Sequence, residues 1–320
     1  MRRPRIGRRR VAELAALAAY AAVAARVFDA YGGVPGSRDV LVPLLLGLFL
    51  ALSVTSVRRL RRLALGLAVD WLPFVLALWL YDLIRGWADG AWMPVHVRPQ
   101  LDVDRVLGLG SDPTVWLQAR LWHGPGAIAW YDYATWAVYM SFFFGTTLVL
   151  AVLWWTRPPL FRRFAAMVVG LALLGCATYV LFPAAPPWLA SEDGALGPVT
   201  RLVGDVNAHV PVVSLAPLWE SGSRYGNPVA AVPSLHGAYT LLISLFLFRR
   251  LRGRLRHLLW LYPLAMAFAL VYSGEHYLCD ILLGWLYTVA VYAAVERAAA
   301  AIAARRARAP QDDEALGLAV

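Results

Sequence analysis

Two short motifs in the last third of the chain carry the residue types needed to move a phosphoryl group. They are Pro233-Ser234-Leu235-His236 and His276-Tyr277-Leu278-Cys279-Asp280. His276 and Asp280 are spaced i,i+4, which on a helix puts them on one face within side-chain reach. A carboxylate so placed takes the proton on one ring nitrogen, fixes the tautomer and leaves the other nitrogen to attack. It also stabilises the positive charge that follows attack. His236 then has the complementary task of protonating the departing oxygen and later deprotonating the acceptor. Ser234 is suited to cap its helix or to donate to a phosphate oxygen, and Pro233 suits a first helical turn.

A zinc ion could in principle use the same histidines and Asp280. HxxxD supplies two ligands at most, however, and no third histidine or cysteine lies near it on the same face, so no metal and no cofactor is expected. His96, His123, His209 and His257 read as polar ends of apolar segments, and His257 falls on the opposite side of the membrane from the two motifs.

The elements that must position these groups are membrane helices. The chain has 320 residues, of which 60% are hydrophobic and 16% charged, and its mean hydropathy is +0.57. Soluble domains average about 45–50% apolar and about 25% charged residues. The excess falls in runs long enough to cross about 30 Å of hydrocarbon. Eight spans are expected, near 11–28, 40–57, 63–84, 133–155, 164–182, 234–248, 258–274 and 278–298. The first could be read as a signal peptide, but its apolar core is long for one, which favours a retained helix. Cys176 and Cys279 both fall in spans and read as small buried residues rather than a disulfide or metal framework.

The formal net charge is +10, and the basic residues are all arginine. They cluster at Arg2 to Arg10, Arg58 to Arg62, Arg157 to Arg163, Arg249 to Arg256 and Arg297 to Arg308, beside the spans, as cytoplasmic loops do. That placement argues against nucleic acid, whose basic patches lie on folded soluble surfaces. It puts both termini inside and the starts of spans six and eight outside. The N-termini of those two helices then point at one layer, where exposed N–H groups and the helix dipole favour phosphate. Asp70 is an intramembrane acid near the Arg58 to Arg62 cluster, with which structural pairing is expected. Of the two long outer segments, 85–132 is rich in tryptophan and includes an expected interfacial helix near Pro113 to Trp122. Residues 183–232 begin Pro183-Ala184-Ala185-Pro186-Pro187-Trp188, and read equally as a lid or wall of the site or as a rigid re-entry turn.

The motifs resemble those of the phosphatidic-acid-phosphatase type 2 superfamily, whose second signature is PSGH and whose third is SRxxxxxHxxxD. The serine and arginine of the third signature fall here on Ala269 and Leu270. The first signature, KxxxxxxRP, has no match: Ala91 and Leu150 stand where its lysine would precede Arg98-Pro99 and Arg157-Pro158. That loss is similar to the inositol phosphorylceramide synthase and sphingomyelin synthase branch, as are His276-Tyr277-x-x-Asp280 and the Pro183 to Trp188 stretch. The resemblance implies an all-α, polytopic bundle with a six-helix catalytic core over 63–300. Two helices and a basic segment are added over 1–62, and a disordered cytoplasmic tail over 301–320. It implies His276 as nucleophile, Asp280 as its orienting partner and His236 as acid–base. With the family arginines missing, Arg98, Arg120, Arg201 and Arg224 are the outer-side candidates to neutralise the phosphate. The expected phosphate- and substrate-binding set is Ser234, Arg224, Arg201, Glu275 and Tyr277.

The function expected from this set is an integral-membrane phosphotransferase or phosphatase. It would act on phosphate esters of membrane lipids at the extracytoplasmic face of the plasma membrane, through a phosphohistidine. Its partners would be a lipid phosphate or phospholipid and, for transfer, a lipid alcohol. Head-group transfer is favoured over release of phosphate to water. A non-enzymatic lipid transporter is the remaining alternative; it predicts mid-membrane polar groups and an inverted repeat, and neither is evident.

Overall fold

The structure, a computed structural model, describes residues 8–31, 38–88, 90, 92–210 and 227–317. In lipid every backbone polar group must be satisfied within the segment, so apolar runs of this length fold as helices. In chain order these are α1 (Arg8–Ala30), α2 (Arg38–Ser53), α3 (Val57–Gly66) and α4 (Leu72–Trp87), the last two joined by a π-helical turn, Leu67–Trp71. Two short helices follow outside the bundle, α5 (Arg98–Leu107) and α6 (Pro113–Leu121), and then α7 (Trp130–Thr156) and α8 (Pro158–Leu181). Next come two single-turn pieces, α9 (Pro187–Glu192) and α10 (Leu202–Asn207). The chain ends with α11 (Leu235–Phe248), a 3-10 turn (Arg254–Trp260), α12 (Leu261–Tyr272) and α13 (Leu278–Gly317).

Six helical stretches are long and apolar enough to cross a membrane, and α11 and the Pro43–Ser53 part of α2 are shorter apolar helices. Together they match the eight expected spans, in an all-α bundle. The expected helix near Pro113 to Trp122 is α6. Prolines occupy the first turn of α5, α6, α8 and α9, where a missing N–H costs nothing. The last helix runs past the apolar boundary near 298 because Ala298 to Ala304 and the arginines after them are strong helix formers.

The bundle is organised around α11, which packs on α13, α12, α7 and α8. Its Ala238, Leu242 and Phe246 are fully buried. Close approach of α11 and α13 depends on Gly284. A Cβ there would collide with the Ser234 carbonyl oxygen at the start of α11. Thr288 adds a hydroxyl bond to Ala238 O (3.0 Å) one turn further along. The opposite end of the same pair is held by ions: Glu296 on α13 accepts from Arg250 (2.6 Å) and faces Arg163 of α8 (3.5 Å).

Asp70 is buried, as a structural acid should be, but its partners differ from the expected ones. Arg162 Nε on α8 donates to Oδ1 (2.7 Å) and Trp154 Nε1 on α7 to Oδ2 (3.1 Å). Arg58, Arg59, Arg61 and Arg62 are exposed. Asp70 lies in the π turn, on the face covered by α7 and α8, so the partner comes from across the bundle rather than from two turns away.

Gly284→Ala is expected to force α11 and α13 apart and to cost about 1–3 kcal/mol, the usual penalty of overpacking a tight contact. A fall of several degrees in the thermal midpoint in detergent is the expected result; an unchanged midpoint contradicts the close approach.

Candidate active site

Both motifs lie at the bundle end opposite the Glu296 ion pairs, and one residue joins them. Ser234 caps α11, its Oγ accepting from Gly237 N (3.2 Å), while its own N–H donates to the main-chain oxygen of Asp280 (3.0 Å). From the other side, Tyr179 of α8 donates its hydroxyl to Pro233 O (2.8 Å). The helix start that carries His236 is therefore fixed on two sides.

The histidine of the third motif is held differently from the i,i+4 picture. Helix α13 begins at Leu278, so His276 precedes it, in the turn after α12. Both Glu275 N and His276 N donate to Leu270 O, closing that turn. Asp280 sits in the first turn of α13 and reaches back, its Oδ2 accepting from Tyr277 N (2.9 Å), as a capping-box acid does. The same oxygen faces His276 Nδ1 at 3.4 Å. Asp280 is fully buried and His276 is 6% exposed. The pairing read from the spacing is present, set by a helix cap rather than by a shared helical face.

The two imidazoles meet. Their ring centroids are 5.5 Å apart, with the rings inclined by 57°. His236 lies in an aromatic box from α7: Phe142 at 4.0 Å, Tyr139 stacked at 5.0 Å and Phe143 at 6.3 Å. Its Nε2 is buried and has no hydrogen-bond partner among the described residues, so a donor and acceptor atom is held ready beside His276.

The wall of the site is built from the segments that join the helices at this end of the bundle. Ala184 and Ala185 are fully buried, and the Pro183 to Ala185 stretch lies between His96 and residues 229–231. Its bonds are His96 N to Pro183 O (2.8 Å), Ala185 N to His96 O (2.9 Å) and Ala184 N to Val229 O (2.7 Å). This is a fixed strut. Beyond it, Trp188 N donates to Gly274 O (3.1 Å). Gly274 has φ +77°, and a Cβ there would lie 2.7 Å from Val199 Cγ1, so the turn before His276 needs glycine twice over.

Gln118 of α6 holds this wall against the turn. Its Nε2 donates to Thr200 O and to Tyr272 O (2.8 Å each), and its Oε1 accepts from Thr200 N (2.8 Å). Arg201, next in sequence, forms a two-point pair with Glu275: Nε to Oε1 at 2.9 Å and Nη2 to Oε2 at 3.3 Å. Burial works against the Arg201 charge, but Glu275 outweighs it and raises the guanidinium pKa above its ordinary value.

The start of α13 is not available to an anion. Asp104 of α5, 1% exposed, accepts from Cys279 N (3.1 Å), and Asp280 takes Tyr277 N. Two carboxylates thus occupy N–H groups at the start of α13, one of the two helix starts that the dipole argument offered to phosphate. Burial pushes the Asp104 carboxyl up to about 6; the N–H bonds oppose the shift and the Asp280 charge adds to it.

Of the residues expected to touch substrate, Arg201 and Glu275 lie beside His276. Ser234 is spent on its cap. Tyr277 contributes its backbone N–H, while its ring packs among Leu101, Ala190 and Leu196. Arg224 lies outside the described residues. Arg98 is exposed at the start of α5, and Arg120 lies over Trp116 of its own helix at 4.0 Å. Ala269 and Leu270, at the family's serine and arginine positions, are buried in α12. Sequence reasoning missed Gln118, Asp104 and Arg85. Arg85, in the last turn of α4, stands with its guanidinium 5.5 Å from the centre of the Tyr81 ring, and its main-chain oxygen accepts from Asn227 Nδ2 (2.9 Å). Its only sequence signal was an arginine at the end of an apolar run.

Comparison with known proteins adds a family. The PAP2 superfamily model matches residues 101–294, which contain both motifs and the Gln118, Arg201 and Glu275 positions. The phosphoinositol dihydroceramide synthase of Bacteroides thetaiotaomicron is 29% identical over 231 residues, covering 68% of this chain and 73% of that protein. No solved structure matches the chain.

Two outcomes are expected. Gln118→Leu strands buried backbone groups of Thr200 and Tyr272, at about 1–3 kcal/mol each, so its thermal midpoint should fall well below that of wild type; an equal midpoint contradicts the clamp. Asp104 has a raised pKa in the folded state, so its stabilising contribution is complete below the unfolded carboxyl value of about 3.9 and is lost as pH rises through about 6. Asp104→Asn cannot ionise. Its midpoint, measured relative to wild type, should therefore climb between pH 4.5 and 7.5; a constant or falling difference contradicts the burial of that charge.

Proposed function

We propose, for a chain that belongs to the PAP2 superfamily, that it transfers the phosphorylated head group of a membrane phospholipid to a lipid alcohol through a phosphohistidine. At the coarser level the protein is a membrane-embedded lipid phosphotransferase or phosphatase. The observation that carries the finer reading is the facing pair, His236 and His276 at 5.5 Å, with Asp280 behind His276. The similarity to a phosphoinositol dihydroceramide synthase supports transfer, with a phosphoinositol group as cargo and a ceramide-type alcohol as acceptor.

In the first half of the reaction His276 Nε2 attacks phosphorus. The bond from phosphorus to the glycerol oxygen breaks, and His236 gives that oxygen its proton. Asp280 holds the Nδ1 proton of His276 and balances the imidazolium character that develops as the N–P bond forms. In the second half His236 takes the proton of the incoming hydroxyl, whose oxygen attacks phosphorus. The N–P bond breaks and His276 is regenerated. Water in place of the alcohol would make the same machinery a phosphatase. No step draws on a metal. The described arginines at the far end of the bundle, from Arg58 to Arg62, Arg157 to Arg163 and Arg249 to Arg256, support an extracytoplasmic site and cytoplasmic termini, and the membrane of this reading is the plasma membrane.

The test uses purified protein in detergent with labelled phosphatidylinositol, with and without ceramide. The expected result is a new lipid species that needs both substrates and is unaffected by EDTA. His276→Ala should lower the rate by on the order of 10³-fold or more, as loss of a nucleophile does. Turnover that survives His276→Ala removes the covalent mechanism. Release of free head-group phosphate at the same rate with and without ceramide assigns the chain to hydrolysis, and strong inhibition by EDTA removes the metal-free reading.

A further inference from the structure

The start of α13 is faced by a buried carboxylate that the proposed reaction does not use. Asp104 of α5 is 1% exposed, and its neighbour Arg105 is turned to Asp112 instead (2.7 Å). Asp104 Oδ1 accepts from Cys279 N (3.1 Å). The thiol of the same Cys279 points at Asp280 Oδ1 and at Gln100 O, both at 3.5 Å. Asp104 and Asp280 therefore flank one residue, the first on its N–H and the second on its S–H. Asp104 is aimed there by α5. One turn earlier, Gln100 Nε2 is tied to His96 O (2.6 Å) and Ala185 O (3.1 Å), and Leu101 packs with Tyr277.

The fold works against this charge. Burial pushes the Asp104 carboxyl up to about 6, so near neutral pH its ionised form is held at a cost to stability. A charge kept in that way beside a reacting set has the placement of a group that tunes it. In the proposed reaction the His276 ring gains positive character as the N–P bond forms, and Asp280 Oδ2 faces it at 3.4 Å. A second negative charge behind Asp280 makes that carboxylate a stronger acceptor for the Nδ1 proton and deepens the negative potential at the ring.

We propose that Asp104 is a positioning residue for the transfer step, which in its ionised form acts through Asp280 to hold the Nδ1 proton of His276 and to stabilise the imidazolium as the N–P bond forms. This rests on the reading above that the head group passes through His276. Asp104 exchanges no proton with substrate, and the bonds made and broken are those already given. The groups facing it are Cys279, Tyr277 and Asp280 from α13 and the turn before it, with His276 beyond Asp280, and Asp112 at the head of α6, which is paired with Arg105. Burial pushes the Tyr277 phenol up, which keeps it neutral.

The experiment measures kcat for wild type and Asp104→Asn with saturating phosphatidylinositol and ceramide, well below both thermal midpoints. The pH runs from about 5 to 8, on either side of the Asp104 value. Asparagine keeps an oxygen for Cys279 N and cannot ionise, and the ratio of the two proteins divides out the ionisations they share. Wild type over variant should be about one at the acid end and about tenfold at the other, the factor that one pK unit of interaction between neighbouring charges supplies. KM should hardly differ, because the interaction grows only in the transition state. The more stable protein at high pH is then the slower one, which a merely structural residue does not produce. A ratio that is constant with pH, or that falls as pH rises, overturns the inference. If Asp104→Asn does not fold, Asp104→Ser, also uncharged, is read by the same outcomes. Wild-type turnover that survives His276→Ala ends the transfer reading and this inference with it, whereas His276-dependent turnover with a flat ratio ends this inference alone.

Discussion

Asp280 works at both of its ends. Its main-chain carbonyl takes the N–H of Ser234 at 3.0 Å, and its side-chain Oδ2 takes the N–H of Tyr277 at 2.9 Å while facing His276 at 3.4 Å. The second motif is thereby bonded to the third through a single buried residue. His236 is two residues from Ser234 and His276 four from Asp280, so the separation of the rings is set by a few short, stiff links. The rest of the bundle serves this knot. Gly284 lets α11 and α13 come close enough for the Ser234–Asp280 bond, Tyr179 braces Pro233 from α8, and Gln118 holds the outer wall against the turn before His276. A carboxylate buried so completely is costly unless its bonds are made. The cap on Tyr277 N and the imidazole opposite are what keep it in place.

Charge is divided along the bundle. Arginine–carboxylate pairs lock the end where α8, α11 and α13 meet through Glu296, and Asp70 is locked to Arg162 nearer that end than the site. At the site end, acids take the N-terminus of α13 and arginines approach from the sides, Arg201 through Glu275 and Arg85 from α4. The helix dipole of α13 is thus spent on Asp104 and Asp280, whose role is to hold the turn. An anionic substrate in the proposed reaction would meet side-chain cations and imidazoles instead.

The eight spans, the joining of the two motifs and the His276–Asp280 contact were legible in the sequence, because each follows from local composition or short spacing. The reason for the last was not: HxxxD suggested a helical face, and the helix begins only after His276, so the contact is a cap. Asp70 was read as a structural acid but given the arginines nearest in sequence, when the covered face of the π turn looks toward α7 and α8. Gln118 and Asp104 were invisible for one physical reason. Their partners are main-chain groups 82, 154 and 175 residues away, and a bond to backbone leaves no mark on the partner's identity. The tryptophan-rich segment around them was read only as interfacial, and both side chains are buried in it.

The environment of His236 bears on the proposed choice of acceptor. Its ring is covered by Phe142, Tyr139 and Phe143, and its Nε2 has no protein partner among the described residues. An acid–base group in such a box is reached by a hydroxyl that arrives with apolar surface of its own more readily than by bulk water, which would leave the aromatic faces unsatisfied. A lipid alcohol brings its hydroxyl on an acyl chain and fills the box as it binds. Water brings only the hydroxyl. Transfer over hydrolysis, in the proposed mechanism, is then a matter of what the aromatic wall admits beside His236 rather than of the histidine chemistry, which is the same for both. Opening that wall by replacing Phe142 with a smaller residue should shift the products toward free head-group phosphate without altering the dependence on His276.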